Sequence, residues 1–141
     1  MFLLDTNVLS ELRRRDRTDL RVLAWADSHV GVLMHISAIT VFELDYGLLR
    51  IARRDPVQSQ ILREWFEAIV LLGFAGRILS VDTVVARRAA ALHVPDPRPD
   101  RDALIAATAL VHGLTVVTRN TADFAPMGVP TLDPWAWTQS A

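Results

Sequence analysis

Five short apolar runs, alternating with stretches of helical spacing, set the tightest limit on what this chain can fold into. They are Phe2-Leu-Leu4, Val32 to Ile36, Arg77-Ile-Leu-Ser-Val81, Thr115 to Thr118 and Val129 to Leu132. Short strands separated by helices pair as a parallel sheet, because each parallel connection must cross back along the sheet. The expectation is an α/β fold. In such a sheet the helices leave from the carboxyl ends of the strands, and function collects at that edge where the strand order reverses.

The helical segments carry their own punctuation. Thr6 and Asn7 follow the first strand as capping residues, and a helix runs on to Arg13-Arg14-Arg15. Leu20 to His29 is a second helix, which Gly31 breaks. Ser37 or Thr40 caps a third, running through Val41, Phe42, Leu44, Leu48 and Leu49 to about Arg54. Pro56 starts a long helix from Val57 to Leu72, closed by Gly73 and Gly76. Asp82 or Thr83 caps a helix to His93. The stiff loop Pro95-Asp-Pro-Arg-Pro99 leads to an Ala-rich helix from about Asp102 to His112, stopped by Gly113. A short turn around Ala122 to Phe124 precedes the last strand, and Trp135 and Trp137 dock the C-terminal tail.

No repeat or linker divides the 141 residues, so residues 1–141 are expected to form a single domain. An apolar fraction of 51% suits helices buried on more than one side, or an extra apolar face used in oligomerisation. No apolar run approaches the roughly 20 residues that span a bilayer, and the N-terminus has no basic leader segment. Cytoplasmic location is the default. Cysteine is absent, which excludes disulfides, thiolate zinc sites and cysteine nucleophiles. All 15 Lys+Arg residues are arginine, so no lysine serves a phosphate loop, a Schiff base or an aspartyl phosphate. A net charge of -1 argues against a nucleic-acid binder. That objection weakens if several acids are gathered around a metal, leaving the remaining surface basic.

Four acids frame that question. Asp5 ends the first strand, where a helix cap is the plain alternative. Asp102 opens its helix, where a carboxylate suits the helix dipole. Asp123 follows the fourth strand, where an Asx turn would account for it. Glu43 shares a helix face with Ile39, Tyr46 and Gly47. An acid on such a stripe needs a partner, and a salt bridge to Arg50 or another arginine is the plain alternative. Jointly, all four project to the carboxyl edge of a parallel sheet. Gathered carboxylates raise one another's pKa, and a divalent cation relieves the repulsion. All-oxygen ligation selects Mg²⁺ or Mn²⁺ over zinc, and water-activated in-line attack on a phosphodiester is the usual chemistry. The four histidines show no metal-ligand spacing. Ser37 lacks a nucleophile-elbow context, and neither a dinucleotide fingerprint nor a Walker sequence is present.

Four stretches together resemble a PIN domain, of the VapC-type, FitB-like toxin kind. They are Leu3-Leu-Asp-Thr-Asn-Val-Leu-Ser-Glu11, Ile36-Ser-Ala-Ile-Thr-Val-Phe-Glu-Leu-Asp-Tyr-Gly47, Asp102-Ala-Leu-Ile-Ala-Ala-Thr-Ala109 and Val116-Val-Thr-Arg-Asn-Thr-Ala-Asp-Phe124. Their order and spacing match over nearly the whole chain. The resemblance implies a three-layer α/β fold whose five-stranded parallel sheet has the order 3-2-1-4-5. It implies a Mg²⁺- or Mn²⁺-dependent endoribonuclease, the toxin of a type II toxin–antitoxin pair, leaving 5′-phosphate and 3′-hydroxyl ends. The implied partners are the RNA substrate, a cognate antitoxin that blocks the site, and a second copy in a homodimer. A higher assembly on operator DNA through the antitoxin is a further implication; a membrane is not. Asp5, Glu43, Asp102 and Asp123 match the family's acidic quartet, with Thr6, Asn7, Thr118 and Asn120 at its supporting polar positions. On this pattern Asp5, Asp102 and Asp123 hold the metal, directly or through water, and Glu43 completes the shell or orients the attacking water. Arg13 and Arg119 are the candidate contacts to RNA phosphates. A catalytically idle PIN fold serving as a binding partner in an antitoxin–DNA repressor complex is the alternative.

Overall fold

The computed structural model describes residues 1–139. Its sheet contains β1 (Phe2–Leu4), β2 (Met34–Ser37), β3 (Ile78–Leu79), β4 (Thr115–Val117) and β5 (Thr131–Leu132), in the order β3-β2-β1-β4-β5. Every neighbouring pair is parallel. The expected fold class and strand order are both present. The order reverses between β1 and β4, whose register runs from Phe2 opposite Thr115 to Leu4 opposite Val117.

Two-residue periodicity sends adjacent strand residues to opposite faces of the sheet. Leu3 and Val116 enter a core with Ala103, Ile105, Ala106 and Phe124. Leu4 and Val117 enter the other, with Val8, Trp25, Ile36 and Leu48. The first core is covered by α6 (Asp100–His112) and α7 (Thr121–Phe124), with α5 (Thr83–Leu92) packed outside α6 through Val85, Ala89 and Ala107. The second is covered by α1 (Thr6–Leu12), α2 (Leu20–Ser28), α3 (Ala38–Ala52) and α4 (Pro56–Trp65). Leu3, Val116 and Val117 have no exposed surface. Burying each of these side chains stabilises the fold by about 1.5–3 kcal/mol, and a one-residue slip of either strand would exchange the two cores.

Several boundaries differ from expectation, for local reasons. Strand β2 starts at Met34 rather than Val32. Ser37 is the cap of α3, its Oγ accepting from the Ile39 N–H at 3.0 Å, whereas Thr40 lies inside the helix. Asp82, not Thr83, caps α5 by accepting from the Val85 N–H. The long helix after Pro56 is α-helical only to Trp65 and continues as a π-helical turn over Phe66–Leu71. Helix α6 begins at Asp100, so Asp102 stands inside its first turn instead of opening it. Asp100 pairs with His93 at 3.4 Å, away from the quartet's role. Gly113 caps α6 in the left-handed region at φ 67°. Trp135 and Trp137 pack against the second core, as expected of the tail. Among the described residues no helix is long and apolar enough to cross a membrane.

Candidate metal centre

The carboxyl ends of β1 and β4 lie side by side, and the site starts there. The Asp5 N–H donates to the Val117 carbonyl at 2.9 Å, which locks the first residue past β1 to the end of β4. Asp5 is only 7% exposed. Its Oδ1 accepts from the Thr6 N–H at 2.8 Å, so it does cap α1; its Oδ2 accepts from Thr118 Oγ1 at 2.8 Å and, more loosely, from Asn7 Nδ2 at 3.4 Å. The capping explanation therefore accounts for one carboxylate oxygen and leaves the other in a polar network. Thr118 is fully buried, and its hydroxyl also accepts from the Asn120 N–H at 3.0 Å and from Asn7 Nδ2 at 3.3 Å. Asn7 Oδ1 in turn accepts from the Arg119 N–H at 3.3 Å. Thr118, Asn7 and the backbone of Arg119 and Asn120 thus form one polar brace across the strand-order reversal.

The second wall comes from α3. Thr6 Oγ1 donates to Glu43 Oε1 at 2.8 Å, bringing α1 and α3 together at the site. The ion pair foreseen for Glu43 exists, but its partner is Arg101 rather than Arg50, with Arg101 Nη1 3.8 Å from Glu43 Oε2. Glu43 is less enclosed than its apolar neighbours suggest: its side chain is 24% exposed. Asp102 is half-buried, one position beyond Arg101 on α6, and Asp123 is exposed on α7.

These carboxylates feel one another. Burial pushes the Asp5 carboxyl above the usual carboxylate range; the Thr118 and Thr6 hydrogen bonds oppose that rise, and the Asp123 charge adds to it. Burial also raises Asp102, and repulsion from Asp5, Asp123 and Glu43 raises it further. All four acids therefore lie within one electrostatic neighbourhood. No three Asp, Glu, His or Cys side chains among the described residues are drawn together to the spacing of a closed metal centre. The open arrangement suits a hard, hydrated cation held partly through water, which does not demand an all-protein cage.

The two arginines singled out from sequence occupy different surroundings. Arg13 lines a groove of about 360 Å³ with Thr6, Ser10, Glu43 and Trp65, running from the acids between α1, α3 and α4. The Arg119 backbone belongs to the brace, but its guanidinium lies over the Trp135 ring, 5.1 Å from the centroid. Arg101 was not foreseen. Its signal was the aromatic pair Phe42 and Tyr46, spaced four apart on α3 so that both rings share a face beside Glu43.

The likeness to known proteins extends over the whole of this architecture. Residues 2–128 match the PIN domain family. A VapC ribonuclease, Y4jK of Sinorhizobium fredii, is 38% identical over 96% of this chain and 98% of its own length. Toxin FitB of Neisseria gonorrhoeae is 40% identical over 96% of this chain and 99% of its own. In the structure of FitAB bound to an IR36 DNA fragment, the matching chain superposes with a TM-score of 0.87 at 36% identity, both chains being covered completely. With its strand order, its switch-point acids and this full-length similarity, the chain belongs to the PIN domain family, among the homologues of VapC ribonucleases and FitB toxins.

Proposed function

We propose that this protein is a divalent-metal-dependent endoribonuclease and the toxin of a type II toxin–antitoxin pair. The observation that carries the reading is the gathering of Glu43, Asp102 and Asp123 about the buried Asp5 at the strand-order reversal, where the Asp5, Asp123 and Glu43 charges together raise the Asp102 carboxyl. A purely structural role gives no reason to concentrate three further acids around a 7%-exposed aspartate. PIN-family ribonucleases work with divalent metal ions, and the donor set here is all oxygen, which favours Mg²⁺ or Mn²⁺. Asp5, Asp102 and Asp123 are the residues to hold it, directly or through water. A bound divalent cation supplies Lewis-acid charge on the phosphoryl group and makes water more acidic.

The protein's own groups do the remaining work. Thr118 and the Thr6 N–H aim the two Asp5 oxygens, and Asn7 keeps Thr118 and the Arg119–Asn120 turn in register. Asn120 steadies Thr118 through its backbone N–H. Glu43, which accepts a hydrogen bond from Thr6, completes the metal's shell or orients the attacking water. Arg13, on the groove wall, and Arg119, whose guanidinium is stacked on Trp135, are the candidate contacts to RNA phosphates.

The matching FitAB complex is bound to DNA. By analogy, a cognate antitoxin covers the site of this chain and carries it to operator DNA, the chain being a homodimer in the cytoplasm. Residues 1–141 act as one domain. Purified protein incubated with total RNA tests the reading: cleavage is expected with Mg²⁺ or Mn²⁺ and is expected to vanish with EDTA or in Asp5→Asn. Cleavage that survives both would sink the metal mechanism. Absence of cleavage under every metal condition, with retained antitoxin binding, would favour the idle binding fold.

A further inference from the structure

Arg101 is built into the site in a way that the quartet does not require. It is the second residue of α6, where a cation meets the positive end of the helix dipole, so helix stability does not account for it. Its guanidinium carbon lies 4.9 Å from the centroid of Phe42 and 5.5 Å from that of Tyr46. The two rings stand edge to face, 5.9 Å apart at 80°. Arg50 lies over the same Tyr46 ring at 5.7 Å. One tyrosine thus carries two guanidinium groups, and cation–π contact fixes both at the lip of a groove of about 320 Å³ that Thr6 and Glu43 also line.

The side chain of Arg101 is 49% exposed and, among the described residues, its guanidinium donates no hydrogen bond. Its contact with Glu43 at 3.8 Å is electrostatic only, which leaves its planar fork of donors facing the groove. An anionic polymer approaching four carboxylates is repelled unless fixed positive charge receives it at the rim. Aromatic anchoring supplies that charge without the entropy loss of ordering two free arginine side chains.

We propose that the Arg101–Tyr46–Arg50 ladder is the phosphate-binding lip over which single-stranded RNA enters the acid cluster, with Arg101 the principal contact. This rests on the ribonuclease reading and adds to it the path of the substrate. An acidic peptide is the competing occupant, but such a ligand has no need to reach the carboxylates beside the ladder.

The test is fluorescence anisotropy of the full-length protein with a labelled single-stranded RNA oligonucleotide in EDTA, over a salt series. Arg101→Ala is expected to weaken binding roughly three- to tenfold and to shallow the log K against log salt slope by about 0.7, one phosphate's worth. Arg50→Ala should act in the same direction but less, Arg101→Lys should recover part of the affinity, and Tyr46→Ala should loosen both arginines. Cleavage by Arg101→Ala should show a raised KM with a smaller change in kcat. Unchanged affinity and salt slope in both arginine variants, in a protein that cleaves RNA, overturns the ladder. Equal loss of binding to a polyglutamate peptide overturns it in favour of an acidic polypeptide. Loss of RNA binding in Arg101→Ala, in a wild-type protein that cleaves nothing, supports the ladder and sinks the nuclease reading instead.

Discussion

Replacing Thr118 by valine removes one hydroxyl from the centre of the site while keeping the side chain's shape. That hydroxyl is fully buried, donates to Asp5 Oδ2 at 2.8 Å and accepts from the Asn120 N–H at 3.0 Å and Asn7 Nδ2 at 3.3 Å. Asn120 is exposed and Asn7 half-buried, so water replaces much of what they lose. Asp5 is 7% exposed and has no such recourse. A hydrogen bond to a charged group contributes about 1.5–3 kcal/mol, so the expected cost at neutral pH without metal is about 2–3 kcal/mol. The cost depends on the charge of Asp5. Its folded-state pKa lies above 3.8 even with the Thr118 hydrogen bond opposing the rise, and the substitution raises it further. As pH falls from neutral through those raised values, Asp5 becomes neutral in the folded state and the missing donor matters less. The cost should then shrink to about 1 kcal/mol. Urea unfolding of both proteins in EDTA, at about pH 7 and about pH 4, measures it. A cost below about 0.5 kcal/mol at neutral pH, or one equal at both values, refutes the reasoning.

The other outcomes follow from the same site and from one turn outside it. Asp102 has a raised pKa, so its ionised form opposes folding; Asp102→Asn should raise the metal-free Tm at neutral pH, and that gain should fade as pH drops through the raised value toward 3.8. Saturating Mg²⁺ or Mn²⁺, at about 100 times its Kd, should stabilise the wild type by about 2.7 kcal/mol, and the shift should be lost in Asp5→Asn; thermal unfolding with and without metal reads both. Gly73→Ala should destabilise the fold by about 1–3 kcal/mol without touching RNA cleavage per folded molecule, because its new Cβ would lie 2.1 Å from the Ile69 carbonyl oxygen. A Gly73→Ala protein as stable as wild type in denaturant would show that the π-helical turn relaxes freely.

The legible part of this fold was whatever one-dimensional periodicity carries. Leu3 and Leu4, and Val116 and Val117, announce strands buried on both faces, and Gly113 announces the end of α6. Asp5 was legible as the residue that ends the first strand, although the cap of α1 is Asp5 itself and not Thr6 or Asn7, which lie inside the helix; the other three acids were legible by their place relative to strands. Less visible were features decided by neighbours distant in sequence. Strand β3 keeps only Ile78 and Leu79 paired because its partner β2 offers only Ile36 and Ser37 to it. The π-helical turn at Phe66–Leu71 shows no break in spacing, since Phe66 and Val70 still reach the core. Arg101 escaped notice because its meaning lies in Phe42, Glu43 and Tyr46, nearly sixty positions earlier.

On the proposed function, the pairing of β1 with β4 also sets when the chain becomes active. Asp5 and Glu43 leave the ribosome early, but Asp102, Thr118 and Asp123 come from the far end of the chain. Roughly eighty residues separate Glu43 from Asp123, which is about 4–16 s of synthesis. Until β4 slots against β1, Asp5 has neither the Val117 carbonyl nor the Thr118 hydroxyl that hold it in place. On the proposed mechanism a nascent chain lacks the assembled acid cluster until then, and the interval is time in which an antitoxin can be waiting when the last acid arrives.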